Sequence, residues 1–110
     1  MIRELIFYEQ HFFDFYEQQS EKVQEKIDYV LDLIVHIERV PEKFLKHLEG
    51  TEGLYEIRVK FASDIFRIFC FFDEGKIVVV LQGFQKKSEK TPKNELLRAE
   101  LLKQKYFEEK

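Results

Sequence analysis

The chain is expected to fold as an α+β domain, with a helix pair on one face of a small twisted antiparallel sheet and a further helix at the C-terminal end. Apolar positions recur every three or four residues between 23 and 37, then alternate or run continuously between 54 and 84, and a helical pattern resumes after Pro92. The predicted order is β-α-α-β-β-β-α, one domain over residues 1–110.

The segment ELIFYE is short, β-prone and apolar, and predicts a first strand at or near an edge of the sheet. HFFDFYEQQ predicts a short aromatic helix. Ser20 can cap a second helix, since its hydroxyl accepts from the first unpaired backbone donors. Within that helix Val23, Ile27, Val30, Leu31, Ile34 and Ile37 share one face, and that face must be buried. Pro41 ends the pattern, because proline supplies no amide hydrogen and biases Val40 away from helical angles. PEKFLKHLEGTEG predicts one more helical turn or a structured loop, closed by Gly50 and Gly53.

From LYEIRVKF the period becomes two, with Tyr55, Ile57, Val59 and Phe61 on one face and Leu54, Glu56, Arg58 and Lys60 on the other. IFRIFCFF, the turn DEGK and IVVVLQGF complete a three-stranded meander over 54–84. The last two strands are apolar on both faces, as strands at the centre of a covered sheet are. A cover beyond the second helix is therefore required, from the terminal helix and a partner segment laid on the sheet. Thr91 and Pro92 predict a capped start to that terminal helix, with Glu95 near its positive end and Leu97, Leu101, Leu102 and Tyr106 as its apolar stripe.

Composition narrows the function classes. The chain has 110 residues, 45% of them hydrophobic, enough for one core without disulfides or metals. Nothing approaches the about 18 consecutive apolar residues of a membrane span, and MIRELIFYEQHFFDF lacks the apolar core of a signal peptide, so a cytoplasmic protein without membrane association is expected. Cys70 lies within FRIFCFF with no second thiol, and is expected as a small buried hydrophobe. The net charge of −3 conceals an asymmetry. Residues 1–53 hold six Lys+Arg against twelve Asp+Glu, and residues 54–110 hold twelve against nine, which points the second half towards a polyanion.

No metal-ligand spacing joins His11, His36 and His47, and no HExxH, GxSxG or phosphate-binding glycine loop is present. What remains is a basic set on the sheet. Arg58 projects from a polar strand face. Arg67 interrupts an apolar strand, where a guanidinium needs a carboxylate such as Glu56, backbone carbonyls or a solvent-filled groove. Lys86, Lys87 and Lys90 follow the last strand, either as a solvated loop or as a phosphate contact. Arginine forks fit phosphate bidentately and crowded lysines give up protons readily, so such a set can clamp a phosphodiester and move its protons.

GLYEIRV, FRIFCFF and VVVLQGFQKKSEKTP followed by a helix resemble the HigB-like, phage-related branch of the RelE/ParE toxin superfamily of type II toxin–antitoxin systems. The likeness covers most of the chain and is sharpest over residues 53–92. It implies a RelE/ParE-like fold and a ribosome-dependent mRNA endoribonuclease, in which a ribose 2′-hydroxyl attacks the adjacent phosphate without a metal or other cofactor. It also implies a cognate helix-turn-helix antitoxin, and operator DNA bound only through the antitoxin complex. Carried onto this chain, the resemblance makes Arg58 and Arg67 the residues that bind and polarise the phosphate. Lys87 serves in proton transfer, and Lys60, Lys86 and Lys90 contact RNA. Glu56 departs from the family pattern, which has a basic residue there, and either acts as base or pairs with Arg58. The C-terminal half lacks a histidine, so His47 would have to fold over the groove to take part. Two alternatives stay open: a ParE-like, non-nuclease inhibitor of DNA gyrase, and a catalytically inactive phage-related binding protein.

Overall fold

Residues 54–86 form the expected meander, and a computed structural model describing residues 1–110 builds the rest around it. The elements are β1 (Glu4–Phe7), α1 (His11–Glu17), α2 (Glu21–His36), β2 (Leu45–His47), β3 (Leu54–Phe61), β4 (Asp64–Asp73), β5 (Ile77–Lys86) and α3 (Lys93–Glu109). The strands make one open sheet in the order β1-β5-β4-β3-β2. β1 is an edge strand, as expected, but it runs parallel to β5, so the sheet is mixed and not antiparallel. The chain passes through α1 and α2 and then the whole meander before β5 lies beside β1, and that long connection permits the parallel pairing.

The segment 41–53 also departs from expectation. Leu45–His47 pairs antiparallel with Tyr55–Ile57 as β2, an added edge strand too short to show a period in the sequence.

Ser20 caps α2 as predicted, its Oγ accepting from the Val23 amide at 3.2 Å. Val23, Ile27, Val30, Leu31 and Ile34 are buried against Ile57, Val59, Ile68, Cys70, Val78 and Val80 of the sheet. The carbonyls at the other end of α2 are closed by a residue far away in sequence: Arg3 donates to Ile34 and Ile37 through Nη1, at 2.9 and 2.8 Å, and to Glu38 through Nη2 at 2.8 Å. α1 lies on the second half of β5. A Cβ built on Gly83 would sit 2.5 Å from Phe15 Cδ2, so glycine is what lets the Phe15 ring rest on the strand.

α3 covers the opposite face, where Leu54, Phe69, Phe71, Val79, Leu81 and Ala99 form a second buried cluster. The residues it turns inward are Leu96, Ala99, Leu102 and Tyr106, whereas Leu97 and Leu101 are 59% and 57% exposed, so the predicted stripe is rotated. Thr91 does not cap it: Pro92 takes the cap position and no side chain bonds there. Polar contacts fix the helix along its length. Gln82 Nε2 donates to the Glu95 carbonyl at 2.8 Å near its start, and Tyr106 Oη and Lys110 Nζ reach Asp73 at 2.7 and 3.0 Å near its end. α3 therefore runs back along β5 towards the β4–β5 turn, and leaves the far ends of β3, β4 and β5 uncovered.

Gly83→Ala is expected to destabilise the fold by about 1–3 kcal/mol, since overpacking displaces Phe15 and α1; urea denaturation against wild type measures it. The α3 anchor adds a pH dependence. The Tyr106 and Lys110 hydrogen bonds hold the Asp73 carboxyl below its ordinary 3.8, so the unfolded chain binds its proton more readily. That contribution is present above pH ~4 and fades as pH falls through the folded value. Thermal unfolding should show wild type losing stability below that pH more steeply than Asp73→Asn does.

Candidate functional site

In the part of the sheet that α3 leaves open, two arginines face one another. Arg58 and Arg67 are direct cross-strand partners on β3 and β4, and Glu56 lies two residues before Arg58 on the same strand face. Strand alternation brings the three together: Ile57 and Ile68 point to the α2 side, so Glu56, Arg58 and Arg67 point to the other.

Glu56 is 3% exposed and sits between the guanidiniums. Its Oε1 accepts from Arg58 Nε at 3.0 Å and lies 3.5 Å from Arg67 Nε. Its Oε2 has no hydrogen-bond partner. Arg67 Nη1 donates to the Phe66 carbonyl at 3.2 Å, while its buried Nε stays unpartnered. Burial pushes the Arg67 guanidinium below its ordinary value, Glu56 counters that, and Arg58 adds to the depression. Arg58 is further tied to the loop before β2, through its Nη1 and the Glu42 carbonyl at 3.4 Å. Each alternative weighed for these residues is thus half met, since the arginines share one carboxylate and retain donors that it does not use.

Lys43, Arg58, Val59, Lys60, Ile65 and Arg67 line a cleft of about 170 Å³ at this place. Lys60 lies where expected. Lys43 had no signal in the sequence beyond being one lysine among many, and only the β2–β3 pairing brings its loop to the arginines. Lys86 is in register with Ile65, which puts it on the same face at the cleft's margin. Lys87 lines a cavity with His11 and Arg98 beside β5, and it also shares a shallow pocket with Lys86 and Ile65 at the end of the strand. Lys90 joins neither; its carbonyl accepts from Ser88 Oγ in an exposed loop. Lys86 and Lys87 therefore stay neighbours, and Lys90 stands apart from them.

His47 pairs with Tyr55 on β2 and packs edge-on against that ring, on the sheet face away from Glu56, so it cannot fold over the cleft. His36 is at the end of α2 beside Asp32. His11 is the histidine that meets a cation: Arg98 Nη2 donates to its Nδ1 at 2.8 Å. Cys70 is wholly buried, and burial pushes its thiol up. No three His, Cys, Asp or Glu side chains converge as a metal site would need, and no helix is long and apolar enough to cross a membrane.

A bulge in β5 shapes the boundary between cover and cleft. Between the Ile68 and Cys70 pairings β5 contributes one residue more than β4, and Leu81 and Gln82 both turn towards α3. Without it Gln82 would point at α1 and Phe84 could not lie opposite Arg67 on the cleft face.

The shared carboxylate has a measurable consequence. Glu56→Ala leaves adjacent guanidiniums without a countercharge and should lower stability by about 3–5 kcal/mol. The Glu56→Leu, Arg67→Met double variant should lose much less than the sum of its single substitutions, a coupling that a urea-denaturation cycle reads directly. Additive losses would mean that the two side chains do not interact.

No curated protein matches the chain. The model of one family, described as phage derived protein Gp49-like, matches residues 14–104, which takes in α2, all of β2 to β5 and most of α3. The chain therefore belongs to the phage-derived Gp49-like family, a toxin-like family related to the RelE/ParE-type toxins.

Proposed function

We propose that this protein is the toxin of a type II toxin–antitoxin pair, of the HigB-like branch, and that it cleaves mRNA on the ribosome. The observation that carries the reading is the cleft itself, lined by Lys43, Arg58, Lys60 and Arg67, of which the two arginines share the single buried carboxylate of Glu56 behind it. Four cations against one buried anion leave an excess positive charge that a phosphodiester neutralises, and the guanidinium forks match phosphate oxygens. Membership of a toxin-like family supports the toxin half of the reading and an antitoxin partner.

The reading implies a sequence of steps. A phosphate entering the cleft competes with Glu56 for Arg58 and Arg67 and draws their donors to its own oxygens. As the arginines turn to the phosphate they uncover the buried Glu56, and its Oε2, which has no hydrogen-bond partner, takes the proton of the ribose 2′-hydroxyl. The 2′-oxygen bonds to phosphorus, the bond to the 5′-oxygen breaks, and Arg67 stabilises the charge on the non-bridging oxygens while Arg58 holds the phosphate in place. A lysine ammonium returns a proton to the 5′-oxygen. Lys86, on the same sheet face, is better placed for this than Lys87. The products are a 2′,3′-cyclic phosphate and a 5′-hydroxyl. The ribosome positions the mRNA, and a helix-turn-helix antitoxin that covers the cleft neutralises the toxin and binds operator DNA as a complex.

The test is primer-extension mapping of an mRNA incubated with the protein, with and without programmed ribosomes. Cuts should appear with ribosomes and in codon register, and fall about 10²–10³-fold in Arg67→Ala and Arg58→Ala variants that retain wild-type circular dichroism. Undiminished cleavage by folded Arg67→Ala would remove the site assignment. Absence of cuts together with inhibition of DNA gyrase supercoiling would establish the ParE-like reading instead, and absence of both would leave an inactive binding protein.

A further inference from the structure

β1 pairs only with Ile77–Val80, so beyond Val80 β5 is a sheet edge, overlooked by α1 on one side and the start of α3 on the other. A cavity of about 440 Å³ opens there, within the ~300–1,000 Å³ typical of small-ligand sites. His11 and Asp14 from α1, Gln82 and Phe84 from β5, Lys87 just after it and Arg98 from α3 all line it.

These groups are held in place. The Arg98 guanidinium always donates, so His11 Nδ1 must accept, which puts the imidazole proton on Nε2, 2.9 Å from Glu9 Oε1. Lys105 fixes Glu9 in turn, at 2.7 Å. Gln82 is 1% exposed, and its Nε2 is identified by two acceptors on Glu95, the carbonyl and Oε1. Its Oε1 is left buried with no partner, an unfavourable state that an arriving donor relieves. Phe84 is the cross-strand neighbour of Arg67 and packs on Phe69 with ring centroids 5.4 Å apart. β5 is thus the one strand that lies between the cavity and β4, which carries Arg67.

We propose that this cavity is a second nucleotide subsite, which holds the phosphate and base of the nucleotide next to the one bound at Arg58 and Arg67. Lys87 and Arg98 take the phosphate. Asp14 repels it, and with Gln82 Oε1 offers acceptors to the N–H groups of a base edge, so the nucleotide enters in one orientation. The inference rests on the RNA-binding reading of the cleft, and Lys86 and Lys87, which share a pocket at the end of β5, link the two nucleotide positions of one strand.

A fluorescence-anisotropy titration with a short, uncleavable 2′-O-methyl oligoribonucleotide tests it, repeated over a range of salt. Arg98→Gln and Lys87→Gln alter exposed side chains and should keep the fold. Each is expected to weaken binding about three- to tenfold and to reduce the slope of log affinity against log salt by ~0.7. Unchanged affinity and slope in both would overturn the subsite. Arg67→Ala in the same assay separates the two readings: loss with Arg67→Ala alone defeats the subsite and leaves the cleft standing, while no loss in any variant defeats both. A parallel titration with a nucleoside 5′-monophosphate identifies the source of the phosphate. Sensitivity of the mononucleotide to Arg98→Gln with an insensitive oligonucleotide would make the cavity a free-nucleotide site and overturn the strand reading.

Discussion

Two strands that are apolar on both faces set the terms for everything else in this molecule. β4 and β5 cannot leave either surface in water, so the chain must supply a layer on each side. α1 and α2 cover one face. The other receives a single helix, and one helix cannot cover the whole of it. Where α3 ends its cover, the strand positions that would otherwise be apolar become Glu56, Arg58, Lys60, Arg67 and Lys86, of which Glu56 and Arg67 stay buried beside the open cleft. The candidate site is the uncovered remainder of the second face.

The placement of α3 is accordingly the decisive geometric choice, and it is made mostly by polar contacts. Its buried strip is narrow, centred on Ala99, and the exposed Leu97 and Leu101 show that hydrophobicity alone would have permitted another rotation. Gln82 at one end, Asp73 with Tyr106 and Lys110 at the other, and Lys105 with Glu9 between them select the rotation and the direction. The same contacts place Arg98 over His11, so the cavity beside β5 and the cleft beside β4 both follow from how one helix is pinned.

Inside the cleft the charges are only partly paired. An arginine buried beside a fully satisfied carboxylate would be a structural ion pair. Here Glu56 serves two guanidiniums with one oxygen, and buried groups on both sides of the pair remain without partners. Unsatisfied buried polar atoms are rare in folded proteins. Gathered around an open, cationic cleft, they are consistent with a ligand that brings its own acceptors and donors.

Much of this was legible in the amino-acid sequence, because periodicity reports burial. The α2 face from Val23 to Ile34, the Ser20 cap and the meander follow from local spacing, and the penalty on a bare buried charge made a pairing of Glu56 with an arginine one of the alternatives. The resemblance carried by GLYEIRV and the QGFQKKSEKTP ending led to the toxin-like family. What could not be read depended on partners distant along the chain. The parallel pairing of β1 with β5, the three-residue β2, Arg3 on the carbonyls of α2, Lys43 in the cleft and His11 beneath Arg98 join residues with no common period. Three lysines close in sequence suggested one basic patch, yet only Lys86 and Lys87 share a pocket, and only Lys87 also reaches the cavity beside β5. The sequence by itself determined which surfaces must be buried, since that is a property of each residue and its near neighbours. Only the tertiary structure decided which charges share a carboxylate and which face a cavity, since those depend on distances that exist only after the layers have closed.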